Sequence, residues 1–318
     1  MNHYEGTVTS FSDLLTAIVA AATANGWTWN ASKGTLVNGN SSVQLTASGT
    51  SYLRITGGVG VDGSGNLLAA APNYSQIYGA TATPVAWPVS YQIFVYDAPV
   101  MIAVAINHSV NYWQWMMWGL TVNLGLTGAG GDAPFVWASV RAGIGNAPKI
   151  SINQGGNSGQ GSFPHHPSIP FWSADSQGSS NDVNNRNAWL YMNEPASFTY
   201  SGGAVVWTPD GSSNTVTSRT GPSLGTAQRQ PNAWNGQSIL IRVRVQAIRP
   251  SQLKSWVAEV PHMRVIRNDN YDDNAVIALG GQQWKVISAR CKNAAQSQRE
   301  GADADHSGTY AIAMEYTS

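Results

Sequence analysis

The residues best suited to acid–base chemistry form the string Asn193-Glu194-Pro195, which follows the apolar stretch Trp189–Met192. An Asn-Glu-Pro after a strand can supply the general acid of a glycosidase if a second carboxylate flanks the scissile bond. The nearest candidates for that second carboxylate are Asp175, Asp182 and Asp210. The eight strand–helix units of the barrel that carries such pairs are missing from the pattern. A glycosidase is therefore the less favoured interpretation, and we expect no enzymatic activity and no catalytic residues.

Three groups of side chains have the chemistry of metal ligands, but their spacing completes no site. His165 and His166 are adjacent, so in a strand they would point to opposite faces. The other two groups are Asp303, Asp305 and His306, and Asn268, Asn270 and Asp272. The last group lacks the glycine and the closing glutamate of a calcium loop. The single cysteine, Cys291, excludes an internal disulfide and a cysteine-based zinc site. We predict no metal and no other cofactor.

A dense aromatic cluster comprises Tyr112, Trp113, Trp115 and Trp118. Flat aromatic rings could stack on sugars, which would make the cluster a glycan-binding platform. However, the segment 112–122 is apolar at both parities, as expected for a strand that is covered on both faces. We therefore interpret the cluster as core or subunit interface, with glycan binding as the alternative.

Charged side chains are scarce and unevenly distributed. Lys plus Arg and Asp plus Glu number 17 each, and charged residues make up 11% of the chain, against about 25% in an average globular protein. Nine lie in residues 1–150, seven in 151–235 and eighteen in 236–318. The lack of a basic excess disfavours nucleic acid and anionic membranes as partners, and the apolar run at 14–22 is too short to span a bilayer. Charge-poor, aromatic-rich surfaces are typical of interface cores, so we expect a subunit of an assembly, with a free surface made of Ser, Thr, Asn and Gln as the alternative.

The periodicity predicts a mostly β fold, a β-rich α+β protein with antiparallel sheets or a sandwich and one helix near 11–25. Ser10 can cap this helix, its apolar residues recur at helical spacing, and Gly26 can end it. The predicted strands are 43–48, 52–57, 89–97, 100–107, 112–122, 238–249, 276–279, 282–288 and 309–316. Gly280-Gly281 suits a two-residue hairpin connection.

These elements divide the chain into three parts. Residues 1–145 form the N-terminal helix and a β domain, 146–235 a loop-rich insertion or arm, and 236–318 a C-terminal antiparallel β segment that could complete the N-terminal domain. The stretch 151–187 is rich in Gly, Pro, Ser and Asn and predicts an extended arm, with a flexible linker as the alternative. Its anchors on a neighbouring subunit would be Phe163, Phe171 and Trp172.

Three stretches together carry a resemblance to a known group of proteins. The first comprises Tyr4-Glu5-Gly6-Thr7, Asp13-Leu14-Leu15 and Ala22–Trp29; the second Pro88–Val95, Val110–Trp115 and Trp118-Gly119; the third Ala278–Val286 and His306–Thr309. As a set they resemble structural proteins of tailed-bacteriophage virions that are encoded among tail and baseplate genes. The resemblance covers both ends of the chain but not residues 146–235.

The resemblance implies a non-enzymatic virion subunit of the tail tip or baseplate, assembled in the host cytoplasm and present in several symmetric copies. The partners it implies are other tail and baseplate proteins and copies of the same chain. It transfers no catalytic residue. Two alternatives stay open: a receptor- or glycan-binding tail module that contacts the host surface, and a component of the head–tail neck. A cell-wall glycosidase is the least favoured.

Overall fold

The computed structural model describes residues 1–79, 85–110, 112–124, 132–141, 188–191, 205–207, 213–215, 239–249, 253–268, 270–289 and 310–317. In chain order the elements are β1 (Asn2–Val8), α1 (Phe11–Thr23), β2 (Thr28–Asn30), β3 (Thr35–Asn38), β4 (Ser41–Ser48), β5 (Tyr52–Val59), β6 (Ser75–Tyr78), β7 (Val89–Asp97), β8 (Val100–Ser109), β9 (Tyr112–Leu120), β10 (Val122–Asn123), β11 (Pro134–Ala138), β12 (Val140–Arg141), β13 (Ala188–Tyr191), β14 (Val205–Trp207), β15 (Ser213–Thr215), β16 (Ile241–Arg249), β17 (Leu253–Arg267), β18 (Val276–Leu279), β19 (Gln282–Ser288) and β20 (Tyr310–Tyr316).

The strands form three sheets, which we call the first, central and C-terminal sheets. The first sheet has the order β12-β6-β5-β4-β3-β2, and the central sheet the order β1-β7-β8-β9-β11-β13-β14-β15. The C-terminal sheet has the order β10-β17-β20-β19-β18, with β16 also paired to β17. Neighbours are antiparallel except β13 and β14, which run parallel. The described residues therefore form an antiparallel β architecture with one helix, and the predicted fold class is confirmed.

The central sheet is buried on both faces because its middle strands are apolar at both parities. In β8 and β9 one parity packs into a core shared with the C-terminal sheet, and the other packs into a core shared with the first sheet and α1. Met101, Ala103 and Ala105 face the C-terminal sheet, whereas Ile102 and Val104 face the first sheet. Near-continuous hydrophobic runs are the sequence signature of such doubly covered strands.

Two chain segments connect the layers directly. After β9 the chain passes Thr121 and enters β10, where Val122 pairs with Glu259 of β17 in the C-terminal sheet. After β11 it passes Ser139 and enters β12, where Val140 pairs with Gln76 of β6 in the first sheet. Each outer sheet thus receives a strand that continues from the central sheet, which fixes the layers relative to one another.

Helix α1 begins and ends on the local signals that predicted it. The Ser10 hydroxyl accepts a hydrogen bond from the backbone N–H of Asp13 at 3.0 Å, which is the geometry of an N-cap. The helix ends at Thr23, slightly before the expected residue 25, because the Asn25 side chain donates to the carbonyl of Ala21 at 2.7 Å and the chain turns there. Gly26 follows with a φ of 79°. The apolar stripe of the helix is buried in the core between the first and central sheets.

The predicted hairpins are present with small shifts at their ends. β4 pairs with β5, β7 pairs with β8, and β18 pairs with β19. Gly280 and Gly281 connect the last pair with φ values of 58° and 81°, the left-handed conformations that a two-residue hairpin turn requires.

Within residues 146–235, for which the sequence predicts a loop-rich insertion, the structure describes three strands. β13, β14 and β15 extend the central sheet beyond β11, and Trp189 and Leu190 of β13 are buried in the two cores. The C-terminal sheet packs on the central sheet, and its described residues complete the core on that side. The region predicted to be an arm, 151–187, lies outside the described residues.

Candidate functional site

The aromatic cluster lies on β9, at the centre of the molecule. All four side chains are buried: Tyr112, Trp113, Trp115 and Trp118. Trp113 and Trp115 face the C-terminal sheet, whereas Trp118 faces the first sheet and meets Trp27 edge to face with ring centroids 6.4 Å apart. Buried rings offer no free face on which a sugar could stack, so these four residues act in the core.

Hydrogen bonds join this aromatic strand to the C-terminal sheet. The indole N–H of Trp115 donates to the carbonyl of Ser288 at 3.0 Å, and that of Trp113 donates to Asp273 Oδ2 at 2.9 Å. Asp273 also accepts from the backbone N–H of Ser288 at 2.6 Å. The nearby Asn268, part of the group considered as a metal loop, donates to the Ser288 hydroxyl at 3.1 Å. Asn268 therefore bonds to β19 within the C-terminal sheet, and Asp273 links β19 to Trp113 of the central sheet.

A cluster of arginines surrounds one glutamate on the face of β16 and β17 that points away from the core shared with the central sheet. On this face Trp284 belongs to a smaller buried hydrophobic cluster of the C-terminal sheet. Glu259 accepts from Nη1 of Arg242 at 3.0 Å and from Nε of Arg244 at 3.1 Å, and Nη1 of Arg264 lies 3.7 Å from its Oε1. The guanidinium carbon of Arg264 lies 4.9 Å from the centroid of the Trp284 ring. We call Arg242, Arg244 and Arg264 the arginine cluster.

A second polar network connects β17, β20 and the turn before β8. The His262 ring stacks on Tyr96 with centroids 4.2 Å apart, and its two nitrogens lie 2.7 Å from Glu315 Oε2 and 3.1 Å from the carbonyl oxygen of Pro99. Both of these neighbours present acceptor oxygens to the ring nitrogens. The Tyr96 hydroxyl donates to the Glu315 carbonyl at 2.6 Å, and burial together with the Glu315 charge raises the pKa of Tyr96 well above its usual range.

A third network ties the edge strand β1 to the C-terminal sheet. Nζ of the buried Lys285 lies 3.2 Å from Glu5 Oε2 and 5.3 Å from the centroid of the Tyr316 ring. Nε2 of His3 lies 3.2 Å from the side-chain oxygen of Gln92. Burial first, and the Lys285 charge second, lower the pKa of His3 below its usual range. Each of the three networks therefore bridges separate strands, and two of them cross between sheets.

The predicted arm anchors Phe163, Phe171 and Trp172 lie outside the described residues, and so do the carboxylates considered for catalysis, Asp175, Asp182, Glu194 and Asp210. His165, His166, Cys291, Asp303, Asp305 and His306 lie outside them as well. Within the described ranges, no group of three or more His, Cys, Asp or Glu side chains is placed to hold a metal ion.

The arginine cluster was only partly visible in the sequence. The alternation in 238–249 placed Arg242 and Arg244 on one strand face, opposite the apolar residues. Glu259 and Arg264 belong to β17, which the sequence did not predict, so their meeting with β16 could not be anticipated. The signal that could have found them is the long run 253–267, in which apolar residues alternate with charged ones on both sides of Pro261.

No protein-family model matches this sequence, and no curated protein matches it significantly. In the part of the chain that the structure describes, no helix has the length and apolar character needed to cross a membrane.

Proposed function

We propose that this protein is a non-enzymatic structural subunit of a tailed-phage virion, placed in the tail tip or baseplate. Its partners are other tail proteins and further copies of the same chain. The proposal joins the sequence resemblance to one structural observation, the charge-poor exterior of the layer built by α1 and the first sheet.

That layer has very few charged side chains, which are the groups that hydrate most strongly. Residues 9–79 contain only four charged side chains: Asp13, Lys33, Arg54 and Asp62. The guanidinium of Arg54 lies between the rings of Tyr52 and Tyr74, at 3.8 Å and 4.2 Å from their centroids. A free surface of this size normally carries interspersed charges of both signs, whereas interface cores are depleted in them.

The exposed face of α1 illustrates the same property in detail. Its exposed residues are Ser12, Asp13, Thr16, Ala20 and Thr23. The Thr16 hydroxyl donates to the Ser12 carbonyl at 3.1 Å, and the Thr23 hydroxyl donates to the Val19 carbonyl at 2.8 Å. Because these hydroxyls bond to the helix backbone, the part of the face formed by Thr16, Ala20 and Thr23 presents methyl groups, and Asp13 is its one charged neighbour on the exposed face. This supports a role in which the helix lies against a neighbouring subunit.

The test is to locate the chain in purified phage particles and to perturb the helix face. We expect mass spectrometry to detect the chain in the particles, and immunogold labelling to mark the tail tip, whereas a label at the neck would favour the head–tail alternative. We expect Ala20→Glu to block incorporation, because it places a new charge on the exposed face of α1 and Glu is a good helix former. Gln283→Glu, at an exposed site in the charge-rich C-terminal sheet, is the matched control.

Both variants should unfold at the same denaturant concentration as the wild type. A chain that is absent from the particles would refute the virion role. Normal incorporation of the Ala20→Glu subunit would refute the assignment of α1 as a contact face.

A further inference from the structure

The net charge of zero conceals a local basic excess on two neighbouring strands. β16 and β17 contain Arg242, Arg244, Arg249, Lys254, Arg264 and Arg267, against the single acid Glu259. The opposite faces of these strands carry Val243, Val245 and Val265 into the core. The arginine cluster therefore lies on the outer side of a well-packed sheet, where another molecule can approach it.

The arginine cluster has more positive charge than its own carboxylate can balance. Three guanidinium groups lie within 3.7 Å of Glu259, whose side chain is only 8% exposed. Among the described residues, Glu259 is the one carboxylate in ion-pair contact with the three guanidinium groups, so positive charge exceeds negative charge within the cluster. The side chains of Arg242 and Arg244 are 56% and 39% exposed, whereas that of Arg264 is 15% exposed.

The surroundings of Arg264 reflect this imbalance. Burial is the main cause that lowers its pKa from the ordinary value, and the charges of Arg242 and Arg244 act in the same direction. The charges of Glu259 and, to a smaller extent, Glu315 oppose the shift without cancelling it. An additional anion beside the three groups would relieve their mutual repulsion.

The donors for such an anion are already oriented. In the described structure, Arg242 and Arg244 each direct one nitrogen to Glu259, and Arg264 donates from Nη1 to the carbonyl of Met263 at 2.7 Å. A guanidinium has five N–H donors in a fixed planar fork that matches a carboxylate. Glu259 and the ring of Trp284 hold the forks in place, so less side-chain entropy is lost when a ligand binds.

We propose that Arg242, Arg244 and Arg264 form a docking site for a carboxylate-bearing segment of a neighbouring polypeptide. The choice of a polypeptide partner rests on the proposed function as an assembly subunit, whereas the anion site itself does not. The three guanidinium groups already surround the Glu259 carboxylate, and the further N–H donors of the two exposed arginines, Arg242 and Arg244, suit a second carboxylate. A nucleic acid would be recognised through a line of cations along its backbone and through exposed aromatic rings. Trp284 is buried and offers no such ring.

The test is a titration of the full-length protein with a fluorescein-labelled oligo-glutamate peptide, followed by fluorescence anisotropy at low salt. We expect saturable binding that weakens by about tenfold in the double variant Arg242→Gln/Arg244→Gln, equivalent to about 1.4 kcal/mol. Arg54→Gln is the matched control, because Arg54 is also partly exposed and packed on aromatic rings but lies in the first sheet. It should bind the peptide like the wild type.

Glu259→Gln should change the peptide affinity in the opposite direction from the arginine variants. It removes the competing carboxylate and keeps its shape, so we expect tighter peptide binding by severalfold. If that variant loses its fold, the single substitution Arg242→Gln, at the most exposed of the three positions, should still weaken binding by severalfold.

Three outcomes would overturn the proposal. The first is equal peptide affinity in the wild type and the double variant, and the second is unchanged or weaker binding after Glu259→Gln. The third is tighter binding of single-stranded DNA or of inorganic phosphate than of the peptide, which would replace the partner class. Because the titration uses the isolated protein, its failure is distinct from absence of the chain from virions, which would refute the proposed function alone.

Discussion

Trp115 and Trp118 form a matched pair that tests how β9 is built into the core. Both side chains are fully buried on the same strand, but they face opposite cores. The indole N–H of Trp115 donates to the Ser288 carbonyl at 3.0 Å, whereas no described residue accepts a hydrogen bond from that of Trp118. Trp115→Phe and Trp118→Phe remove the same atoms, so the two variants differ mainly in whether this hydrogen bond is lost.

The magnitudes follow from the two parts of the change. Replacing indole by phenyl removes about three buried heavy atoms, worth about 2 kcal/mol at about 0.8 kcal/mol for each buried group. At Trp115 the change also breaks a hydrogen bond and leaves a carbonyl without that donor, which adds about 1–3 kcal/mol. At Trp118 the change removes a buried N–H group that has no described acceptor, and this offsets about 1 kcal/mol or more of the lost stability. We expect Trp115→Phe to destabilise the protein by about 2 kcal/mol or more beyond Trp118→Phe.

The assay is urea denaturation followed by far-ultraviolet circular dichroism, which does not depend on the tryptophan that is replaced. Unchanged slopes with shifted midpoints would show that the two variants differ in stability alone. Equal midpoints, or a larger loss for Trp118→Phe, would refute the assignment of the Trp115 hydrogen bond as a link between the central and C-terminal sheets.

Three further predictions concern the helix cap, a close strand approach and the pH dependence of stability. Ser10→Ala should cost about 1 kcal/mol in urea denaturation, because it removes the cap on Asp13, whereas Ser12→Ala should be close to neutral. Gly119→Ala should lower the free energy of unfolding by about 3 kcal/mol or more, because the new Cβ would lie 2.3 Å from the Val100 carbonyl oxygen. Gly280→Ala is the control: its Cβ meets no described atom within 4 Å, so it should cost only about 1 kcal/mol of backbone strain. Because the pKa of His3 is lowered on folding, the unfolded chain takes up the proton first as the pH falls below about 6.5, so stability should decline there. His3→Gln should flatten that decline in urea midpoints measured at neutral and acidic pH, and an unchanged slope would contradict the burial of His3.

The parts of the fold that could be predicted are those set by neighbouring residues. The cap at Ser10, the helical spacing after it and Gly26 define α1 within a few residues. The Gly280-Gly281 pair adopts the positive φ that its hairpin needs. Alternation in 238–249 separated the buried Val243 and Val245 from the arginines, whereas Ile239, predicted on the same apolar face, is exposed. Each of these signals acts over a few residues, so a single sequence contains it in full.

Two of the strands that were missed, β17 and β1, have interrupted or mixed patterns. β17 contains Pro261 near its middle, which normally argues against a strand interior. The structure accommodates it because the pairing with β16 is irregular there and His262 adopts a φ of 53°. β1 is polar at most positions and becomes a strand because it pairs with β7, more than eighty residues further along the chain. Such pairings depend on distant partners that local pattern cannot reveal.

The sequence by itself determined that the chain forms β-strands with one helix, that β9 must be covered on both faces, and that most of the exterior carries little charge. Only the tertiary structure decided what covers each face of β9, because residue parity separates two faces without saying which sheet lies on either. It also decided that Arg242, Arg244 and Arg264 meet at Glu259. Charges on separate strands come together through register and sheet order, which arise from packing across the whole molecule.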